Sequence, residues 1–417
     1  MCKIKRIMGL VILLVFSLNE AWAYEKSPVV EYAQSCFFVD SKTGNVLFAK
    51  NENSKMQVAS LAKIVMALVA IDKINNLNVE ITATSSIFDE LHGQHASSVG
   101  IVVEEKCRAI DLLHAALIAS ACEAASILAC YVGNGSIPNF VVLMNQKAKE
   151  LGASNTHFVD PHGLSDKNYS TASDVYLFAR ALIKNPLLAE MVSKVTYEMP
   201  PTNKRDLSQR IYTTNQMLIK SNSNYYKKIK GIKTGTCAGY HNFVSYSEGK
   251  DMFVIGVVLG ALPSAEKQRE KCLSKQAFPE TKNILEWIFE NFRAQLLAEK
   301  GEPLNEVKTV LAKEDHVRVV LAEDVYGVLP KDVPRCEVVK KFSLPKSVKG
   351  GAKAGTKVGS VIFLWNNSQL AQADLVLAND LPTSLSATLI KKLPVLIGGA
   401  LILLFFIFKI IKVNRRL

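Results

Sequence analysis

Hydrophobic positions change period several times along the chain, and each change predicts an element. Two short apolar runs, Cys36–Val39 and Val46–Ala49, flank Ser41-Lys42-Thr43-Gly44-Asn45 and predict a β-hairpin. From Ser60 onward Leu61, Ile64, Val65, Leu68 and Val69 recur at helical spacing. Asp111–Val132 reads as a second, strongly apolar helical stretch and Ser173–Ile183 as a third. Strands return over Ile229–Leu259, where Phe243–Tyr246 and Met252–Leu259 flank the polar turn Glu248-Gly249-Lys250-Asp251. Lys282–Lys300 reads as a helix through Trp287, Ile288 and Phe292. Beyond Gly301 the texture shifts to short β-rich runs, His316–Leu321, Val361–Trp365 and Asp374–Ala378, with a glycine-rich interruption at Lys349–Gly359. This predicts a small all-β domain over 301–385, following a larger domain over 24–300.

The two ends carry different patterns. Residues 1–23 place Lys3, Lys5 and Arg6 before the uncharged run Leu10–Leu18 and the small-x-small site Ala21-Trp22-Ala23. That is the pattern of a signal peptide. Near the other end, Leu393–Phe408 is an uncharged run of 16 residues between Lys391, Lys392 and Lys409, Lys412, Arg415, Arg416. At ~1.5 Å per residue it spans about 24 Å, and flanking lysines extend its reach by snorkelling. We expect a transmembrane tail anchor over 391–412, its last residues cytoplasmic by the positive-inside rule. These ends also dispose of the net charge. Of +12 over 417 residues, +2 lies in residues 1–23 and +6 in residues 391–417, leaving +4 on the body. With no basic stripe interleaved with aromatics, the charge argues against a nucleic-acid partner. Seven cysteines remain after residue 23, an odd number without CxxC spacing, so no structural zinc site is expected.

Three Ser-x-x-Lys tetrads occur, at Ser60–Lys63, Ser264–Lys267 and Ser343–Lys346. Only Ser60 begins an apolar helix, which puts the serine at the positive helix end and Lys63 one turn on. A lysine desolvated there accepts a serine proton. The competing reading is an N-cap serine beside a surface lysine. Two Lys-Thr-Gly triads occur as well. Lys42–Gly44 is the hairpin turn, whereas Lys233–Gly235 lies beside a strand. There a cation and a hydroxyl suit a substrate carboxylate, Gly235 admits close approach, and the N–H of Thr236 with that of Ser60 suits an oxyanion hole. His157, Asp160 and His162 have a spacing open to zinc, but no third ligand motif accompanies them and they sit in a Pro161/Gly163 turn, which weighs against a metal site.

The order Ser-x-x-Lys, a second serine on a helix, then Lys-Thr-Gly resembles penicillin-binding proteins and serine β-lactamases. The surrounding stretches, FFVDSKTGNVLFAKNENSKMQVASLAKIVMALVA, DLLHAALIASACEAA, NTHFVDPHGLSDKNYSTASDVYLFARAL and GIKTGTCAGYHNFVSYSEGKDMFVIGVVLGA, are similar to low-molecular-mass D-alanyl-D-alanine carboxypeptidases. The resemblance implies an α+β fold: an antiparallel sheet with flanking helices and a helical subdomain, followed by the β domain. It implies a serine DD-carboxypeptidase at the bacterial inner membrane. Its catalytic domain is exported, it acts on peptidoglycan stem peptides, β-lactams inhibit it, and it needs no metal or other cofactor. Ser60 resembles the acylated nucleophile, Lys63 its base and Ser120 the proton-relaying serine. Lys233, Thr234 and, in Gln268-Arg269-Glu270, Arg269 resemble the carboxylate-binding groups. Two departures stand out. Cys122 occupies the place of a substrate-binding asparagine, and the loop after Lys-Thr-Gly is about two residues short. A DD-transpeptidase and a non-catalytic wall-binding homologue therefore stay open as alternatives.

Overall fold

The computed structural model describes residues 27–237, 239–262, 276–384, 397–405 and 407. The signal-peptide stretch 1–23, the tetrad Ser264–Lys267, Arg269 and much of the 391–412 segment lie outside the described residues. Two compact units divide between Arg293 and Ala294.

The first unit is built on a five-stranded antiparallel sheet. Its strands are β1 (Ser35–Asp40), β2 (Val46–Lys50), β3 (Ile229–Cys237), β4 (Tyr240–Glu248) and β5 (Phe253–Ala261), in the order β2-β1-β5-β4-β3. The predicted hairpin is β1–β2, and its Lys42–Gly44 triad is the turn, with Asp40 Oδ1 accepting from the Thr43 N–H and hydroxyl at 2.8 Å each. Both sheet faces are covered, because neighbouring strand residues point to opposite sides. Phe37 meets Tyr176 edge-on at 5.6 Å, while Phe38 stacks through Phe48 toward Trp287. Tyr176 belongs to one flanking helix and Trp287 to another.

Eight helices are described in this unit: α1 (Ala62–Lys73), α2 (Ser85–Leu91), α3 (Ala109–Ile118), α4 (Cys122–Val132), α5 (Ile137–Glu150), α6 (Ala172–Lys184), α7 (Pro186–Ser193) and α8 (Ala277–Asn291). From Ala62 to Ala70 every residue of α1 is buried, and Lys63 is the one charged side chain in that stretch. Such a helix has no solvent face and forms the spine of the helical layer.

Two predicted elements are corrected. Asp111–Val132 is two helices, not one, broken at Ala119-Ser120-Ala121. Ser120 sits at φ 63°, a left-handed conformation that costs a serine about 1–3 kcal/mol. The break is held by the Cys122 N–H, which donates to Ser97 O at 2.8 Å instead of continuing α3. No glycine or proline marks it. Likewise Lys282–Lys300 is not one helix. Phe292 leaves α8 in extended geometry, and β6 (Phe292–Ala298), whose residues from Ala294 on belong to the second unit, pairs with another strand of that same unit, so strand pairing overrides the helical propensity of Ala-Gln-Leu-Leu-Ala.

The second unit contains β7 (Pro303–Val310), β8 (His316–Leu321), β9 (Val325–Pro330), β10 (Val339–Ser343), β11 (Val348–Lys349), β12 (Lys357–Trp365) and β13 (Ser368–Leu377). Six of them form a sheet in the order β10-β12-β13-β8-β7-β11, and β9 pairs with β6. This is the predicted β domain, and Ser343 of the third Ser-x-x-Lys ends its exposed edge strand β10. Residues 397–405 are helical. Among the described residues no single helix is long and apolar enough to cross a membrane.

Candidate active site

Ser60 lies in a single 3₁₀ turn, Ala59–Leu61, that feeds directly into α1. Neither helical start has a side-chain cap, so Ser60 is not an N-cap residue. The residue before it, Ala59, adopts φ 49°. Two close backbone approaches hold that turn in place. A Cβ at Gly163, itself at φ +85°, would fall 1.8 Å from Ala59 O, and one at Gly235 would fall 2.8 Å from Val58 O and 3.3 Å from Leu61 Cγ. The space that Gly235 keeps free is thus needed by the turn that carries Ser60. The sequence reading gave that glycine to the substrate; the crowding found is internal.

Lys63 is 0 % exposed, which removes the surface-lysine reading. Its Nζ lies 2.9 Å from Ser60 Oγ, 2.8 Å from His162 O and 3.4 Å from Cys122 Sγ. Three acceptors match the three protons of an ammonium. Burial nevertheless pushes the Lys63 pKa below that of an ordinary lysine, opposed by Cys122, Asp160 and Glu123. The geometry is therefore ready for the charged form, while desolvation favours the free amine.

Lys233 on β3 is also buried, with Nζ 3.0 Å from Thr234 O. Its pKa is lowered well below that of an ordinary lysine, first by burial and then by the charge of Lys63. Two facing lysines with few counter-charges make a pocket that gains most from an arriving anion. Thr234 is buried, and its Oγ1 lies 2.6 Å from Thr214 Oγ1. Thr236 is exposed toward the end of β3, which is the free edge of the sheet.

Ser120 occupies the α3–α4 corner, directly before the residues that reach Lys63. Glu123, in the first turn of α4, fixes that corner from behind. Its Oε1 accepts from Ser98 Oγ at 2.7 Å, Val99 N at 2.7 Å and Gly100 N at 3.2 Å. On the opposite side, the 157–168 loop is organised around Asp160. Oδ1 accepts the N–H groups of His162 at 3.0 Å and Gly163 at 2.5 Å, while Oδ2 accepts Ser165 N and Asn168 Nδ2 at 2.8 Å each. Asp160 is thereby spent on holding the loop, and His157 forms an isolated bridge with Tyr169. His162 serves through its carbonyl.

The structure thus brings Ser60, Lys63, Cys122 and Lys233 together, with Thr234 and Gly235 on the adjoining strand and Ser120 at the corner. Two contributors, Glu123 and Thr214, were not singled out by spacing, while Asp160 and His162, which were, contribute as a clamp and through a backbone carbonyl. Asp160 sits in a Pro/Gly turn, where an aspartate that caps successive N–H groups is a recognisable signal. The others depend on contacts distant in sequence.

A serine activated by a buried lysine, facing a cationic strand edge, defines a serine acyl-transfer enzyme. The chain belongs to the D-alanyl-D-alanine carboxypeptidase family, whose profile matches residues 23–262. Residues 292–383 match the C-terminal domain of penicillin-binding protein 5. Over 368 residues the chain is 24% identical to D-alanyl-D-alanine carboxypeptidase DacF of Bacillus subtilis, covering 88% of this chain and 90% of the relative. It is 26% identical over 390 residues to DacA of Haemophilus influenzae, covering 91% and 93%. Among solved structures, penicillin-binding protein 5 from Haemophilus influenzae aligns with TM-score 0.69 at 25% identity, over 86% of this chain and 99% of that one. The Streptomyces K15 DD-transpeptidase aligns with TM-score 0.57 at 25% identity, over 64% and 99%.

Proposed function

We propose that this chain is a serine DD-carboxypeptidase that removes the terminal D-alanine from peptidoglycan stem peptides through an acyl-enzyme on Ser60. The observation that carries the proposal is the 2.9 Å contact between the Oγ of half-buried Ser60 and the Nζ of fully buried Lys63. Neutral Lys63 takes the Oγ proton as the oxygen bonds to the penultimate D-alanine carbonyl carbon. The resulting ammonium finds its three acceptors already in place. Negative charge on the carbonyl oxygen is received by the N–H groups of Ser60 and Thr236. The C–N bond then breaks as Ser120 gives its proton to the departing D-alanine amine and takes the Lys63 proton in its place, which leaves Lys63 neutral. Water adds to the ester and gives its proton to Lys63, and the ester C–O bond breaks as that proton returns to Ser60 Oγ, which releases the shortened peptide. Lys233 and Thr234 bind the terminal carboxylate beside Gly235, with Arg269 assigned to the same group on its sequence position. Cys122 flanks the acyl side. β-Lactams acylate the same serine.

Further parts of this reading rest on sequence pattern. Residues 1–23 are a signal peptide, 24–300 the catalytic domain, 301–385 the β domain and 391–412 a membrane anchor at the inner membrane, with the catalytic domain exported. The apolar side chains of the 397–405 helix are exposed, as with Leu403 at 65%, which suits a lipid surround. Mass spectrometry after labelled benzylpenicillin tests the core of the proposal. One adduct on Ser60, absent in Ser60→Ala, is expected; no adduct, or one that survives the substitution, refutes it.

A second reading, transfer of the acyl group to an amine, is favoured by one observation. Cys122 offers Lys63 a weakly accepting sulfur where the family pattern has an amide. Product analysis with an added amine acceptor separates transfer from hydrolysis.

A further inference from the structure

Thr214 lies outside every motif above, yet it joins the two walls of the cleft. Its backbone N–H donates to the carbonyl of Ile118 at 3.1 Å, and Ile118 is the last residue of α3, two positions before Ser120. Its Oγ1 lies 2.6 Å from Thr234 Oγ1 on β3. The flanking residues hold it rigidly. Thr213 N donates to Val195 O at 2.8 Å, and Asn215 Oδ1 accepts from Met217 N at 3.0 Å.

The contact restricts what the Thr234 hydroxyl can do. Each threonine hydroxyl has one proton. If Thr234 donates to Thr214, it has no proton left for a ligand. A carboxylate accepts only, so its arrival requires the Thr234 proton, and Thr214 must then donate to Thr234. The two hydroxyls form a directed chain that ends on an anion, and hydrogen bonds in series polarise one another. A neutral terminus draws less on the chain, because hydrogen bonds to an ionised acceptor are roughly twice as strong.

We propose that Thr214 is a positioning residue that orients the Thr234 hydroxyl, so that the site selects ligands ending in a free carboxylate. This rests on the reading of Thr234 as a carboxylate-binding group. The test compares acylation of the full chain by benzylpenicillin with acylation by its methyl ester. In Thr214→Val the second-order acylation rate for the free acid is expected to fall about tenfold through weaker binding, while the rate for the ester changes less than about twofold. Thr214→Ser, which keeps the hydroxyl, is expected to retain the parent ratio of acid to ester. If Thr214→Val folds poorly, Thr214→Ala removes the same hydroxyl and carries the comparison. An unchanged acid-to-ester ratio in the hydroxyl-lacking variant overturns the proposal. So does an equal loss for both ligands, the mark of a merely structural role. Failure of the parent protein to be acylated at all would instead overturn the carboxypeptidase reading.

Discussion

Asp160 offers the sharpest quantitative test, because one side chain holds four donors. In Asp160→Asn one oxygen becomes an NH2 group, which points a donor at two existing donors. Whichever way the amide turns, two of the four hydrogen bonds are lost: those from His162 and Gly163, or those from Ser165 and Asn168. Hydrogen bonds to a charged group contribute about 1.5–3 kcal/mol each, so the loss is about 3–6 kcal/mol. That is a large share of the 5–15 kcal/mol that typically stabilises a domain, as a rough range. The effect should also reach the chemistry. His162 O, 2.8 Å from Lys63 Nζ, is carried by this loop, and the carboxylate charge itself favours the lysine ammonium. We expect a marked drop in the urea midpoint together with slowed acylation by labelled penicillin. A variant that unfolds within about 1 kcal/mol of the parent and acylates at the parent rate would refute the reasoning.

Four further outcomes are expected. Gly235→Ala places a methyl 2.8 Å from Val58 O, and overpacking of about 1–3 kcal/mol at the nucleophile's turn should slow penicillin acylation by roughly 5–150-fold with the far-UV spectrum unchanged; a rate within twofold of the parent contradicts this. Because burial lowers the Lys63 pKa below 10.5, acylation should rise with pH through that lowered value and then level off, which a pH–rate profile checks. The same shift makes the unfolded chain bind more protons between the folded value and 10.5, so stability should rise with pH across that window, and Lys63→Met should remove this part of the slope in urea titrations. Alkylation with iodoacetamide at pH 8, mapped by mass spectrometry, should modify exposed Cys336 readily. Buried Cys36 and Cys107, whose thiols are pushed up to about 12, should react only after unfolding.

Elements whose apolar pattern is complete within themselves were legible from sequence. The β1–β2 hairpin, α1 and the strands around Glu248–Asp251 stand where periodicity put them. The Ser60–Lys63 tetrad opens a helix apolar enough to bury its lysine, and Lys63 is buried there. What stayed hidden depends on distant contacts. The break at Ser120 carries no glycine or proline and is set by Ser97, more than twenty residues earlier. Phe292–Ala298 reads as helix until its partner strand is known. Gly235 looked like a concession to substrate because the Val58 carbonyl it accommodates is far away in sequence. Thr214 escaped for a related reason, since nothing local distinguishes it from the threonine before it.

Strand order carries one more consequence, for the time course of synthesis. β5, the central strand of the first sheet, is the last of its five to leave the ribosome, and Ser35 finds its partner only when Leu259 exists. Until then Ser60 and Lys63 stand on a chain whose β1–β2 hairpin has no central strand to join it to β3, the strand that carries Lys233. For most of that growth the hairpin lacks its next strand, and β3 and β4, made only from residue 229 on, wait briefly beside it, a state that invites mispairing. The five-stranded sheet closes when roughly the first 260 residues have been made.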